Sequence, residues 1–319
     1  MRIRHLTIFA LLSLGALLAA CTEYNSRYVP DPVGAESCRE GVEASETFEG
    51  FEDPGKLDIL VVVDDSGDVL DEQRKLAAAF PDFVRGIESR GVSVRVGVTT
   101  TDATGEPGLA PPGTKLDGCA SNTEQIASTD DGEGWARTAY CNIVQGEDGD
   151  RFQRSFEVIK RAVVDRAGPY GDFFRQDART LVLVLTNEDD CSGAGFGTDE
   201  TARNVCAWNA DSLSDPTTFA ERLSDAAVTR EGVSLAVIAG PPDSQTYDQD
   251  EAVRPVCQSA VGAAYPGTRL YQAVSELEDR GAFESICRDD RSFALEQIDR
   301  RLTRERRATF CPAERLVQE

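Results

Sequence analysis

The chain has 319 residues, with 33 Lys and Arg against 56 Asp and Glu, and a formal net charge of −23. A surface this acidic repels nucleic acid, so we predict no nucleic-acid partner. The sole histidine, His5, lies in a segment predicted below to be removed. The mature chain therefore lacks Ser-His-Asp and Cys-His catalysis and histidine-bound zinc, and we predict that it is not an enzyme.

The N-terminus indicates export. A basic start is followed by an apolar run over 6–18, too short to cross a bilayer, and then by Leu-Ala-Ala-Cys, which resembles the bacterial lipobox. We predict a lipoprotein signal peptide over 1–20 and a fatty-acylated Cys21 that anchors the mature chain to a membrane. Ordinary signal cleavage is the alternative. The predicted location is the bacterial cell envelope, and Thr22 after the cysteine, in place of Asp, favours the outer membrane.

The first elements of the fold follow a polar tether and lead-in over 21–54. Residues 57–63 form a nearly continuous apolar run, which is typical of a strand buried on both faces of a parallel sheet. Apolar residues then recur at helical spacing over 69–89, where Pro81 predicts a kink or a split. A second strand is predicted over 92–101.

The rest of the chain continues this alternation after a long excursion over 103–150, in which a short strand is predicted over 138–144. Later helices are predicted over 152–163, 219–227 and 293–302, and later strands over 180–185 and 233–238. This order predicts an α/β fold over 55–311, with a doubly wound, mostly parallel sheet, flanking helices and disulfide-pinned loop insertions. Residues 312–319 form a tail.

Eight cysteines besides Cys21 indicate disulfides, because their number is even and the chain is predicted to be exported. The chain contains no Cys-x-x-Cys spacing, the pattern that would indicate a metal site instead. Many connectivities are open. Closeness in sequence pairs Cys119 with Cys141, Cys191 with Cys206 and Cys257 with Cys287, and leaves Cys38 for Cys311.

Two predicted strands end in acidic runs. These runs contain Asp64, Asp65, Ser66 and Asp68 after the first strand, and Glu188, Asp189 and Asp190 after the later one. Ligands of doubly wound sheets bind at the carboxyl ends of the strands, and oxygen ligands there suit Mg²⁺ or Ca²⁺. The alternative is that these side chains cap the following helices.

The segment Leu-Asp-Ile-Leu-Val-Val-Val-Asp-Asp-Ser-Gly-Asp at 57–68 resembles the von Willebrand factor A domain. The segment Thr-Asn-Glu-Asp-Asp-Cys-Ser at 186–192 is similar to one in the lipoprotein-borne versions of that domain. The resemblance covers roughly 56–306 in element order. It implies a central sheet flanked by helices, with a metal-ion-dependent adhesion site (MIDAS) at its top edge.

That family builds its site from Asp-x-Ser-x-Ser, a threonine from a middle loop and a late aspartate. Here Asp68 replaces the last serine, Asn187 replaces the late aspartate, and the 146–150 loop holds no threonine. By the resemblance, the predicted metal ligands are Asp64, Ser66, Asp68, Asn187 and Glu188, with Asp189 nearby. The predicted cation is Mg²⁺ or Ca²⁺.

The anchor, the fold and the acidic loops predict a non-enzymatic adhesion lipoprotein that binds a protein or glycan partner through a cation. One alternative is a structural scaffold whose metal site has degenerated. Another is a hydrolase of envelope polymers that uses Asp64 and Glu188 as acid and base, since carboxylate catalysis needs no histidine.

Overall fold

A computed structural model describes residues 55–303, except 167, 169, 194–201, 227–231, 244–250 and 260–261. The strands are β1 (Lys56–Val63), β2 (Ser93–Thr100), β3 (Ile126–Ser128), β4 (Ala178–Leu185), β5 (Val233–Ala239), β6 (Cys257–Gln258), β7 (Ala263–Ala264) and β8 (Gly281–Ser285). Within the described residues, the main sheet has the order β3-β2-β1-β4-β5-β8, and β6 and β7 form a separate hairpin. Only β3 runs antiparallel to its neighbour in the main sheet.

The sheet is doubly wound because its order reverses at β1, the first strand, which lies between β2 and β4. Val63, the last residue of β1, pairs with Thr100 of β2 and Leu185 of β4, so the three strands end level. We call this side, with the loops that leave it, the carboxyl edge. Ligands of doubly wound sheets bind in the crevice at such a reversal.

Helices cover both faces of the sheet. The α-helices of the described residues are α1 (Leu70–Glu88), α2 (Trp135–Ile143), α3 (Ser155–Ile159), α4 (Tyr170–Phe173), α5 (Ala202–Trp208), α6 (Pro216–Asp225), α7 (Thr268–Glu276) and α8 (Arg291–Ile298). Of these, α5 packs in a separate small core with Phe152 and Leu213. Side chains of β1 alternate between two cores, because successive residues of a strand point to opposite faces. Ile59 and Val61 pack with α1, α2 and α8, whereas Leu60 and Val62 pack with α3, α4, α6 and α7.

The predicted fold class is confirmed, with two corrections to its elements. The strand predicted over 138–144 is wrong: this segment lies in α2, because Trp135, Ala139 and Ile143 recur at helical spacing and pack into the α1 core. The predicted split of α1 is also wrong, since the helix continues through Pro81. Phe80 and Phe83 are buried on either side of it, and that burial outweighs the lost hydrogen bond.

Three of the predicted disulfides are present and hold the long loops. They join Cys119 to Cys141, Cys191 to Cys206, and Cys257 to Cys287. The pair Cys38 and Cys311, the acylated Cys21 and the tail lie outside the described residues. In the described part of the chain, no helix has the length and apolar character needed to cross a membrane.

A buried ion pair fixes the opposite edge of the sheet. Arg175 donates from its backbone amide (2.6 Å) and its Nε (2.8 Å) to the carboxylate of Asp58, which is fully buried. Its other nitrogens donate to Ser93 Oγ and to the carbonyls of Leu57 and Ser93. Burial raises the pKa of Asp58, and the contacts with Arg175 oppose that rise.

We expect Arg175→Met to lower the free energy of unfolding by about 3–5 kcal/mol, because it leaves the buried Asp58 carboxylate without its partner. The matched control is Lys56→Met, which removes the exposed ion pair between Lys56 and Asp177 and is expected to cost less than about 1 kcal/mol. Urea denaturation measures both. Equal losses for the two variants would contradict the assigned role of Arg175.

Candidate metal-binding site

Asp64 organises the carboxyl edge. It directly follows β1 and is fully buried. Its Oδ1 accepts hydrogen bonds from the backbone amide (2.9 Å) and Oγ (2.7 Å) of Ser66, and its Oδ2 accepts from Thr186 Oγ1 (2.8 Å). The backbone amide of Asn187 also hydrogen-bonds to this carboxylate. Burial raises the pKa of Asp64, and these donors oppose the rise. The carboxylate therefore joins the loops after β1 and β4.

Two other oxygen atoms at this edge have the chemistry of cation ligands. Asn187 is 5% exposed, and its Nδ2 donates to Ala263 O (3.2 Å). Its Oδ1 is buried and has no hydrogen-bond partner among the described residues, which is costly for an amide oxygen. Ser66 Oγ gives its hydrogen to Asp64, so its lone pairs remain available.

The predicted ligand Asp68 is exposed and takes a left-handed backbone conformation, with a φ of 72°. A Cβ atom on Gly262 would lie only 3.0 Å from the carbonyl oxygen of Asp68, so the glycine lets the β6–β7 turn approach. The structure therefore places the backbone of Asp68 beside the β6–β7 turn.

Glu188 is paired with a cation of the protein itself. Arg203 Nε, on α5, lies 2.9 Å from Glu188 Oε1, and the two side chains are 27% and 12% exposed. Burial raises the pKa of Glu188 to about 7; the charges of Asp64 and Asp68 add to this, whereas Arg203 opposes it. No motif marks Arg203, and sequence reasoning missed it.

The other two acids of this run hold helices. Asp189 accepts a hydrogen bond from the backbone amide of Arg269 (2.9 Å), in the first turn of α7. Asp190 accepts from the amide of Phe156 (2.8 Å) in α3, and from the amide and Oγ of Ser192. Burial raises the pKa of Asp189 to about 6. These two acids therefore bind helix amides, but of α7 and α3 and not of α5, the following helix that the alternative interpretation named.

Gln73 ties a third loop to the site, and sequence reasoning missed it as well. This buried side chain of α1 donates to the carbonyls of Asp64 (2.6 Å) and Gly146 (2.7 Å) and accepts from the amides of Gln145 (2.9 Å) and Gly146 (3.0 Å). The available signal was a polar residue on the apolar stripe of a predicted helix. Gln73 thus ties the loop at 145–146 to the backbone of Asp64.

Asp65 turns away from this network toward Gly149. The backbone amide of Gly149 donates to Asp65 O (2.8 Å), and a side chain at 149 would collide with the Asp65 carboxylate. Burial raises the pKa of Asp65 to about 6, and the charges of Asp64 and Asp102 contribute to the rise. The glycine is needed here because the two loops approach so closely.

No group of three Asp, Glu, His or Cys side chains in the described residues is placed to hold a metal. The candidate oxygen ligands at this edge are instead mixed: the Asp64 carboxylate, the Ser66 hydroxyl and the Asn187 amide oxygen. Hard divalent cations accept carboxylate and amide oxygens and complete their shells with water. These residues fit Mg²⁺ or Ca²⁺, and the ligand roles of Asp68 and Glu188 stay predictions.

No protein-family model matches the chain, and no curated protein matches it. Proximal thread matrix protein 1 from the mussel byssus is 14% identical over 77% of this chain and 48% of that one, with a TM-score of 0.40. The pilus adhesin SpaC from Lactobacillus rhamnosus GG is 10% identical over 76% of this chain and 29% of that one (TM-score 0.41). An aerotolerance-related membrane protein from Bacteroides fragilis is 11% identical over 77% of this chain and 98% of that one, with a TM-score of 0.35.

The chain thus spans less than half the length of the first two of these proteins. The mussel protein has also been solved with zinc in its MIDAS motif. At these TM-scores the likenesses carry no argument about a ligand of this chain. The description of the fold rests on its own strand order and register.

We expect the unfolding midpoint, measured in chelator, to fall by several degrees as pH rises from about 5 to about 8. The pKa values of Asp65, Asp189 and Glu284 are raised to about 6 and that of Glu188 to about 7. The folded chain then holds protons that the unfolded chain has already lost, so deprotonation favours unfolding.

Thermal unfolding of the wild type beside Glu188→Gln checks this pH dependence. The variant should lose the upper part of the fall, because the remaining groups titrate near pH 6. A midpoint that stays flat or rises over this pH range would contradict the raised pKa values of these carboxyls.

Proposed function

We propose that this protein is a non-enzymatic binding protein of the bacterial cell envelope, anchored by a lipid on Cys21. Its carboxyl edge binds Mg²⁺ or Ca²⁺ through Asp64, Ser66 and Asn187, and engages a protein or glycan partner. The observation that carries the proposal is the buried Asn187 Oδ1, which has no partner among the described residues and belongs to the residue whose amide holds Asp64. A bound cation would offer an open coordination position to a partner's carboxylate.

The burial of the candidate acids supports binding over hydrolysis. Asp64 is fully buried and its two oxygens accept hydrogen bonds from within the protein. Glu188 is mostly buried and is ion-paired with Arg203. A catalytic acid or base must reach the proton that it transfers on a polymer substrate, and neither buried carboxylate is accessible to a group of that size.

The Asn187 amide also supports a working site over a degenerated one. A buried acceptor without a donor destabilises a fold by roughly 1–3 kcal/mol. A ligand that occupies the site removes this cost.

The cation is tested by a pair of serine variants. Ser66 and Ser192 each donate from backbone amide and Oγ to the aspartate two residues before them, with nearly equal distances. Ser192 Oγ also accepts from the amide of Glu157 (2.9 Å), so Ser192→Ala should cost more stability than the roughly 1 kcal/mol expected of Ser66→Ala. We expect saturating Mg²⁺ or Ca²⁺ to raise the unfolding midpoint of the wild type and Ser192→Ala by about 5 °C, and to leave Ser66→Ala unchanged.

The same pair tests the partner. In Ca²⁺, the wild type and Ser192→Ala should each capture a protein or glycan from envelope extracts. This capture should be lost when a chelator replaces Ca²⁺, and it should be lost with Ser66→Ala. A cation effect of equal size in both serine variants would refute the assignment of the site.

The anchor is tested by Cys21→Ser in the full chain. We expect the wild type in its bacterial host to sediment with membranes and to incorporate labelled palmitate, and the variant to lose both properties because its serine cannot accept the lipid. Fractionation with a known lipoprotein as reference measures this. Membrane attachment that survives the substitution would rule out the lipid on Cys21.

A further inference from the structure

Arg203 is held in place beside the candidate metal site by two contacts. Its Nε lies 2.9 Å from Glu188 Oε1, and its guanidinium carbon lies 3.9 Å from the centre of the Tyr265 ring. The backbone amide of Tyr265 donates to Asn187 O (2.8 Å), so the aromatic platform belongs to the same edge. An ion pair and a cation–π contact together fix the guanidinium.

The helix that carries Arg203 is itself pinned. The disulfide between Cys206 and Cys191 ties α5 to the loop that follows β4. Asn204 Oδ1 accepts a hydrogen bond from the amide of Val253 (2.9 Å) on another loop. The positive charge is therefore a fixed part of the carboxyl edge.

Glu188 and the Asp64 carboxylate share one hydroxyl group. Thr186 Oγ1 donates to Asp64 Oδ2 (2.8 Å) and accepts from the amide of Glu188 (3.1 Å). A guanidinium on Glu188 cancels one of the negative charges at this edge and repels a divalent cation beside Asp64, with little solvent to screen the repulsion.

We propose that Arg203 is an internal competitor of the metal ion: it neutralises Glu188 and so sets the cation affinity of the site. This inference rests on the proposed metal site. Arg203 thus determines the cation affinity of the site. It contacts the predicted ligand Glu188, and no contact with Asp64, Ser66 or Asn187 is present among the described residues. Removing the guanidinium ends this repulsion and lets a bound cation take its place as the positive charge beside Glu188, which strengthens cation binding.

The test is calorimetric titration of the oxidised full chain in detergent with MgCl₂ and with CaCl₂ at constant ionic strength. We expect Arg203→Met to bind about tenfold more tightly than the wild type, and Arg203→Lys, which keeps the charge, to stay close to it. Adding Glu188→Gln to Arg203→Met should remove the gain. Arg300→Gln is the control for net charge, since Arg300 is 54% exposed and pairs with Glu296 on α8. If Arg203→Met does not fold, Arg203→Gln is used in its place.

The proposal is supported if Arg203→Met is the one single variant that binds the cation more tightly than the wild type does. This includes the case in which wild-type binding is too weak to detect. Wild-type binding that Arg203→Met leaves equal or weaker overturns it while the metal site stands. Absence of binding in every variant overturns the metal site and the competitor together. The unfolding midpoint of each variant in chelator shows that the compared proteins are folded.

Discussion

The buried carboxylate of Asp64 is the interaction on which the carboxyl edge depends. A charge without solvent must be matched by donors, and Ser66 and Thr186 supply them from two loops that leave the sheet where its order reverses. Gln73 extends this network, because it donates to the backbone carbonyl of Asp64 and to that of Gly146 in a third loop. The side chain and backbone of Asp64 therefore connect three loops, and Asn187, whose amide oxygen has no partner among the described residues, lies in one of them.

An identical local motif has two different roles in this chain. Asp-x-Ser occurs after β1, where Asp64 lies at the reversal of the sheet, and after β4, where Asp190 holds the start of α3. Spacing cannot separate these roles, because the hydrogen bonds within each turn are the same. The neighbours differ: Asp64 meets a hydroxyl from another strand, whereas Asp190 meets the helix amide and the guanidinium of Arg269.

The sheet was predictable from the sequence because its strands are continuous apolar runs, and three disulfides were predictable because their cysteines are neighbours along the chain. Residues 138–144 were misread as a strand because the long excursion hides the helical spacing that begins at Trp135. Arg203 could not be found, since its pairing with Glu188 exists only after α5 packs against the loop after β4. Local sequence patterns thus predicted the strands and disulfides around the site, whereas the ion pair of Glu188 with Arg203 depends on tertiary contacts.

The central claim is that a divalent cation binds where Asp64, Ser66 and Asn187 meet. Crystals of the oxidised protein soaked in MnCl₂ test it most directly, because Mn²⁺ prefers oxygen ligands and its anomalous scattering marks its position. We expect one strong peak about 2–2.6 Å from Ser66 Oγ and Asn187 Oδ1, with waters completing the shell. Well-ordered crystals with no peak at these atoms, or with Mn²⁺ bound only elsewhere on the acidic surface, would contradict the claim.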